Sequence, residues 1–220
     1  MSLSQQIERD EKETGRTEAF SDGVFAIAIT LLVLELKVPG REAVRAAGGL
    51  GSALLGQWAM YLAFLTTFAT ILVMWANHHT VFTHIRRVSA PFLYLNGLLL
   101  FFVTLLPFPT AILAGYIGSP DGRLAVQIYA GVCVGICVSF NLLWHFASGG
   151  GRLLDRHADM EQVRSITHRY YFGPPLYGVA FGLAFIHEVW SLVLCILLAV
   201  FFAFTGGVRR KHLPGGRQGH

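Results

Sequence analysis

The stretch RTEAFSDGVFAIAITLLVLEL (residues 16–36) decides the fold class of this chain. From Phe20 to Leu34 its only ionisable side chain is that of Asp22, and Glu35 follows at the far end. A helix needs about 20 predominantly apolar residues to cross the hydrocarbon core of a bilayer. We therefore predict a first transmembrane helix over residues 20–38.

Five further apolar runs follow the first and are separated by charged, Gly-rich or Pro-containing links. Hydrophobic residues make up 54% of the 220-residue chain and charged residues 14%, about half the charge of an ordinary soluble domain. We predict an all-α integral membrane protein that forms one six-helix unit over residues 1–220. The six predicted transmembrane helices cover residues 20–38, 53–82, 91–117, 124–147, 171–186 and 189–204.

The basic residues predict how the helices are oriented. Six spans put both termini on one side of the membrane, and that side collects 13 of the 17 Lys and Arg residues. By the positive-inside rule both termini face the cytoplasm, in a multi-pass protein of the plasma membrane. Because the basic residues flank the apolar runs instead of forming a patch, nucleic acid is not expected as a partner.

Helix 1 carries a stripe of bulky aliphatic side chains and two carboxylates. Ile27, Leu31 and Leu34 follow i, i+4, i+7 spacing and share one face. In an arbitrary membrane helix, such a stripe more often faces lipid or packs in the core. Asp22 and Glu35 are functional candidates, because an ionisable group within a span costs at least about 2.5–3.5 kcal/mol. The structural alternative for Asp22 is an ion pair with a buried arginine such as Arg16.

Several protein classes are excluded by missing motifs. No span carries arginine at every third position, and the Thr-Val-Gly-Tyr-Gly carbonyl filter is absent. No phosphate-binding loop, nucleophile elbow or zinc-protease motif occurs, so an enzyme is not expected. Two alternatives stay open beside a channel. One is an ion-coupled or proton-conducting secondary transporter that uses Asp22, Glu35 and the histidines. The other is a haem or metal redox protein with ligands from His78, His79, His145 and His187.

The pattern Arg-x-x-x-Phe-Ser-Asp at the start of helix 1 resembles the signature of the transmembrane protein 175 family. In this chain it consists of Arg16, Phe20, Ser21 and Asp22. That family includes an endolysosomal potassium channel of animals and shorter bacterial homologues. The resemblance is strongest in helices 1–3, and its further elements are Trp75-Ala-Asn-His78-His79-x-x-Phe82, Asn96 and Leu-Pro107-Phe108.

The resemblance implies a potassium-permeable cation channel, built as a homotetramer in which helix 1 of each subunit lines a central pore. The constriction would be a ring of aliphatic side chains instead of a carbonyl filter. Ile27 would be its narrowest point, Leu31 and Leu34 its further layers, and Thr30 its support. Family members often have a small polar residue just before the constriction, where this chain has Ala26, so selectivity is expected to differ. Apart from the permeating potassium ion, no cofactor or metal is implied.

The resemblance also implies that the signature residues are structural. Arg16, Phe20, Ser21 and Asp22 would belong to a polar network that ties helix 1 to its neighbours. Trp75, His78 and Asn96 are the candidates for extending that network into the second and third helices.

Glu35 is a candidate for the outer mouth of such a pore. It follows Leu31 by four residues, so on an α-helix it lies about 40° from the aliphatic stripe. Several copies around a symmetric mouth would form a ring of negative charge that concentrates cations. The alternative is a solvated carboxylate at the membrane interface that pairs with Lys37 or Arg41.

Overall fold

The computed structural model describes residues 3–205 apart from 152, 156 and 157. In that part of the chain, four segments are helical, long and apolar enough to cross a membrane. They are Gln5–Glu35, Trp58–Phe82, Ala90–Tyr116 and Gly122–Ser148. The chain is therefore an all-α, multi-pass membrane protein. The basic tail that follows the sixth predicted span lies outside the described residues, as do Arg152 and Arg156 of the fourth link.

Ten helices follow one another in the described part of the chain. The first, α1 (Leu3–Leu31), continues into a 3-10 turn (Leu32–Glu35) and is followed by two short helices, α2 (Arg41–Ala46) and α3 (Leu50–Gly56). The longer central helices are α4 (Trp58–Phe82), α5 (Ala90–Leu105), α6 (Pro107–Tyr116) and α7 (Gly122–Ser148). The last three are α8 (Met160–Tyr171), α9 (Gly173–Leu183) and α10 (Glu188–Thr205).

The helix boundaries differ from the predicted spans in ways that local chemistry explains. The polar segment before residue 20 is helical too, so α1 is a single rod that extends beyond the apolar run. The run 53–82 is divided at Gln57 into α3 and α4. The run 91–117 is divided at Leu106, because Pro107 has no N–H to donate and starts a new helix. In the run 171–186, α9 has only 11 residues, or about 16 Å of helix.

One face of α1 is buried against α4 and α5. Ser21, Phe25, Ala28 and Leu32 are at most 1% exposed and follow i, i+4, i+7, i+11 spacing. This spacing keeps one stripe turned toward the neighbouring helices along the whole span. These residues therefore mark the side of α1 that faces its own protomer.

Close approach of α5 and α7 depends on a glycine. A Cβ atom at Gly135 would lie 2.5 Å from the Phe102 ring, well inside van der Waals contact. The missing side chain lets an aromatic ring of α5 pack directly on the backbone of α7. Small residues serve this purpose at many helix contacts in membranes.

A polar junction joins α1 to two loops at the end of the bundle where α1 begins. The Arg86 guanidinium lies 2.6 Å from Glu11 Oε1 of α1 and 3.2 Å from Asp155 Oδ2 in the link between α7 and α8. Thr14 donates a hydrogen bond of 3.0 Å to the Arg86 carbonyl, and the Arg86 amide donates one of 2.9 Å to the carbonyl of Leu153. Arg86 therefore holds three segments of the chain together.

We expect Arg86→Ala to lower the apparent melting temperature of the purified protein by several degrees, because two carboxylates lose a shared partner. The expected loss is about 2 kcal/mol, the range for hydrogen bonds to charged groups. Arg87→Ala is the control, since the Arg87–Asp10 pair is longer, at 3.7 Å, and half of the Arg87 side chain is exposed. Equal melting temperatures for the two variants would contradict a special role for Arg86.

Candidate functional site: the first helix and its polar anchor

The aliphatic stripe of α1 is uncovered in the described protomer. Ile27 is 59% exposed, Leu31 43% and Leu34 64%. The stripe lies roughly a third of a turn away from the buried face of α1, by the 100° rotation per helical residue. The helix therefore presents two different apolar surfaces: one packs against its own protomer, and the other faces outward.

The end of the stripe departs from α-helical geometry. The α-helix stops at Leu31, and the next four residues form a 3-10 turn. With three residues per turn, Leu34 lies over Leu31, so the stripe continues. Glu35 is then about 120° from Leu34 instead of close to the stripe. The angle of 40° expected from an unbroken α-helix is wrong, and Glu35 is half-buried on a turn that packs against α4 and α6.

Thr30 lies beside the stripe and is exposed, and its hydroxyl donates a hydrogen bond of 2.9 Å to the carbonyl of Ile27. This bond ties the side chain to the helix backbone one turn earlier. The hydroxyl oxygen can still accept hydrogen bonds with its two lone pairs.

Behind the stripe, three buried polar side chains form a hydrogen-bonded chain across three helices. Asn96 of α5 donates from Nδ2 to Ser21 Oγ of α1 at 2.9 Å, and its Oδ1 lies 2.9 Å from Nε2 of His78 on α4. Since Oδ1 can only accept, His78 carries its proton on Nε2. The His78 ring packs between Phe25 and Phe82, with ring centroids 5.3 and 4.5 Å away. We call Ser21, His78 and Asn96 the polar anchor.

Two further contacts join α1 to α4 beside the polar anchor. The indole N–H of Trp75 donates a hydrogen bond of 2.9 Å to Asp22 Oδ1. His79 Nδ1 lies 2.9 Å from Glu18 Oε1, one helical turn closer to the start of α1. Asp22 and Glu18 of α1 thus meet donors on one face of α4.

The four signature residues divide into two pairs. Ser21 and Asp22 contact α5 and α4 as described above, whereas the side chains of Arg16 and Phe20 are exposed and border a surface groove between α1 and α5. Within the described part of one protomer, Arg16 forms no ion pair with Asp22. The structural alternative of an Arg16–Asp22 pair inside one protomer is therefore wrong.

The contacts made by Glu18, Phe25 and His79 were not expected from the sequence. Phe25 follows Ser21 by four residues, so it was available as part of the same helix face. The pairing of Glu18 with His79 has no sequence signal, because it depends on the register between α1 and α4.

The histidines proposed as haem or metal ligands are dispersed. His145 Nδ1 contacts the Asn141 carbonyl at 3.1 Å on α7, and His187 packs against Trp190 at the far end of the bundle. Among residues 3–205 that the structure describes, no three His, Cys, Asp or Glu side chains are grouped so that they could hold a metal ion.

The chain matches a known protein family and several named channels. The family described as endosomal/lysosomal potassium channel TMEM175 matches residues 16–107, which contain α4, α5 and the whole apolar part of α1. A potassium channel of Chamaesiphon minutus is 54% identical over 194 residues, which is 88% of this chain and 95% of that protein. A potassium channel of Streptomyces collinus is 40% identical over 88% of this chain and 93% of its own length.

Solved structures agree with these matches. The crystal structure of a lysosomal potassium-selective channel TMEM175 homolog from Chamaesiphon minutus superimposes with a TM-score of 0.83 at 50% identity. It covers 90% of this chain and 100% of its own. A variant of the potassium channel MtTMEM175 has a TM-score of 0.58 at 23% identity and shares the fold. The human endosomal/lysosomal proton channel TMEM175 is 42% identical over 97 residues, 19% of its length.

The bundle of apolar helices defines a helical membrane protein, and the relatives that match most of the chain are ion channels. The named relatives are channels and not enzymes. The chain belongs to the TMEM175 family of potassium channels.

We expect Ser21→Ala to destabilise the protein by about 1–2 kcal/mol, because the Asn96 amide would lose its buried acceptor. Ser139→Ala is a matched control: Ser139 is equally buried, but within the described residues its hydroxyl bonds only to the Gly135 carbonyl in its own helix. Thermal unfolding in detergent measures both. If Ser139→Ala costs as much as Ser21→Ala, the polar anchor contributes nothing beyond packing.

Proposed function

We propose that the protein is a potassium-permeable cation channel whose pore is lined by α1. The observation that carries this proposal is the uncovered stripe of Ile27, Leu31 and Leu34, on a helix whose other face is fixed by the polar anchor. A membrane helix that is fixed to its protomer on one side and exposed on the other is suited to line a pore that several copies of the chain form together. Family membership supports the same conclusion.

The proposed constriction works without ion ligands. A ring of branched aliphatic side chains offers a cation no oxygen atoms, so the ion must shed part of its water to pass. Potassium holds its water less tightly than sodium, and this difference favours potassium. Narrow apolar rings can also empty of water and stop conduction. Ile27 is proposed as the narrowest layer, Leu31 and Leu34 as further layers, and Thr30 as the side chain that supports them.

The proposed assembly is a homotetramer in the plasma membrane. One α1 helix cannot enclose a pore, and closed cyclic symmetry is the usual solution for identical subunits. Each subunit would have six spans, with α9 and α10 as the fifth and sixth. The fifth span would need residues next to α9 as well, because α9 alone covers about half of the hydrocarbon thickness of about 30 Å. Both termini would face the cytoplasm, which agrees with the basic residues at that end.

Planar bilayer recording of the purified protein, with potassium on one side and sodium on the other, tests this function. We expect an ohmic current whose reversal potential lies toward the potassium equilibrium value. A saturable flux that needs a second coupled ion would instead indicate a secondary transporter.

Ile27→Ala and Ile27→Asn are each expected to weaken the preference for potassium over sodium while the protein still assembles, because both remove the bulky branched side chain from the proposed constriction. Val33→Ala is the control: Val33 is exposed on the same segment but lies off the stripe. Reversal potentials under mixed-ion conditions are the measurement. If Ile27 and Val33 variants behave alike, Ile27 is not the constriction.

Although Glu35 is turned about 120° from the stripe, several copies near the outer mouth would still attract cations at a distance, so Glu35→Gln is expected to reduce inward current at low ionic strength. The deficit should shrink as potassium concentration rises, since screening limits the reach of surface charge to about 10 Å at 0.1 M. Glu42→Gln, in the outer helix α2, is the control. Equal currents for Glu35→Gln and wild type at low salt would assign Glu35 to interfacial anchoring.

Proton conduction is a second candidate, because the animal relatives that match about 97 residues of this chain are named proton channels. Vesicles that contain the protein and a pH gradient, without potassium, would test it. A pH change in these vesicles above that of empty vesicles would support proton permeation.

A further inference from the structure

Helix α8 leads into α9 without a loop. The one residue between them, Phe172, keeps helical backbone angles (φ −80°, ψ −17°). Its carbonyl accepts a hydrogen bond of 3.2 Å from the Leu176 amide. Pro174 has no N–H, so the Tyr170 carbonyl loses its helical donor, and Asn141 of α7 donates to it at 2.6 Å instead. Because the backbone stays helical, α8 extends α9 toward the end of the bundle where α1 begins.

The depth of α8 follows from its contacts with two apolar helices. Trp144 donates from Nε1 to Thr167 Oγ1 at 2.8 Å, four residues before α7 ends. The Tyr170 hydroxyl lies 3.4 Å from the carbonyl of Asn77, five residues before α4 ends. These contacts are therefore about 6–8 Å inside the ends of the two helices. With 25 and 27 residues, α4 and α7 are longer than the hydrocarbon core of about 30 Å, so residues 164–169 lie near the boundary between hydrocarbon and headgroups.

One face of α8 is buried, and the opposite face is polar. Val163, Ile166 and Tyr170 are buried and follow i, i+3, i+7 spacing. By the rotation of 100° per residue, four polar side chains lie within an arc of about 140° on the other side of the helix. They are the exposed Arg164, Ser165 and His168 and the half-buried Arg169, and we call them the basic face.

The two guanidinium groups of the basic face have no anionic partner in the described part of the chain. Neither Arg164 nor Arg169 forms an ion pair there, and Arg169 Nε is buried without a hydrogen-bond partner. A buried N–H is costly to leave unsatisfied. The nearest carboxylates along the helix, Asp159 and Glu161, lie at its start, where Asp159 Oδ1 accepts a hydrogen bond of 2.9 Å from the Glu161 amide. The last two turns of α8 therefore carry positive charge without an ion-pair partner.

We propose that the basic face binds the phosphate group of an anionic phospholipid in the leaflet at this end of the bundle. Guanidinium groups match phosphate oxygens in both geometry and charge, and the Ser165 hydroxyl is a further donor. Basic residues beside a membrane surface attract anionic lipids. The phosphate would satisfy both arginines, which have no ion-pair partner among the described residues of one protomer.

Two exposed aromatic side chains favour a lipid over a soluble phosphate. Tyr171 and Phe172 are 67% and 47% exposed and follow the basic face on the side of α9. The Phe172 ring packs edge-on against His168, with ring centroids 5.1 Å apart, so the apolar surface is continuous with the basic face. Basic and aromatic side chains on one helix at a membrane interface are typical of lipid-binding surfaces. The first carbons of the acyl chains would lie on the two rings while the phosphate meets the arginines.

Native mass spectrometry of the purified protein, titrated in detergent with phosphatidylglycerol or phosphatidylcholine, tests this site. We expect wild type to bind phosphatidylglycerol more tightly, because the choline group would place a positive charge beside the arginines. The double variant Arg164→Gln/Arg169→Gln should bind phosphatidylglycerol more weakly, by about fivefold for each arginine removed, while its binding of phosphatidylcholine changes little. Lipid binding is measured without a current, so the result does not depend on the proposed channel function.

Arg41→Gln/Arg45→Gln is the matched control, because it removes the same charge from exposed positions of α2 at the other end of the bundle. It should bind phosphatidylglycerol like wild type. The site is overturned if wild type binds the two lipids equally, if the α8 double variant binds phosphatidylglycerol like wild type, or if the control loses as much affinity.

Two further measurements complete the test. Glycerol 1-phosphate, which has no acyl chains, should not displace phosphatidylglycerol, and displacement at equal concentration would assign the site to a soluble phosphate instead of a lipid. If the α8 double variant does not fold, Arg164→Glu, at an exposed position, should weaken phosphatidylglycerol binding by about tenfold or more. Unchanged binding in that folded variant would contradict the assignment.

Discussion

The hydrogen-bonded chain from Ser21 through Asn96 to His78 is the interaction on which the arrangement of α1 depends. In a membrane, apolar packing alone does not choose a rotation for a helix, because lipid tails are as apolar as leucine side chains. A buried polar group without a partner costs free energy there, so Ser21 can face only the direction in which Asn96 lies. Turning α1 by one residue, about 100°, would break the hydrogen bond between Ser21 and Asn96 and would expose Phe25.

This fixed rotation determines what the other face of α1 can do. With Ser21, Phe25 and Leu32 packed inside the protomer, Ile27 and Leu31 must point outward. The contact between Trp75 and Asp22 adds a second polar constraint on the same helix, and the Arg86 junction holds its beginning. A rigid wall is what a constriction requires, because a ring of side chains keeps a constant width only if the helices behind it do not turn.

The sequence predicted the parts of this arrangement that are local. Apolar runs predicted the α1, α4, α5 and α7 membrane segments, and i, i+4, i+7 spacing predicted the aliphatic stripe. The break at Gln57 within one apolar run and the 3-10 turn that ends at Glu35 were missed, because hydropathy does not distinguish an α-helix from a turn of the same composition. Partners such as Glu18 and His79 were missed because they depend on the register between helices, which one chain read residue by residue does not contain.

The four signature residues of α1 lie in two different environments. Ser21 and Asp22 find partners within one protomer, but Arg16 and Phe20 face a groove on its surface. An arginine at the end of a membrane segment reaches the polar interface, and a phenylalanine one turn later is compatible with lipid, so neither residue needs a partner inside its own protomer. In the proposed homotetramer, the groove that they border and the bare stripe of α1 would instead face neighbouring copies. The proposed assembly would thus cover the side of α1 that its own protomer leaves exposed, while Ser21 and Asp22 hold the opposite side in place.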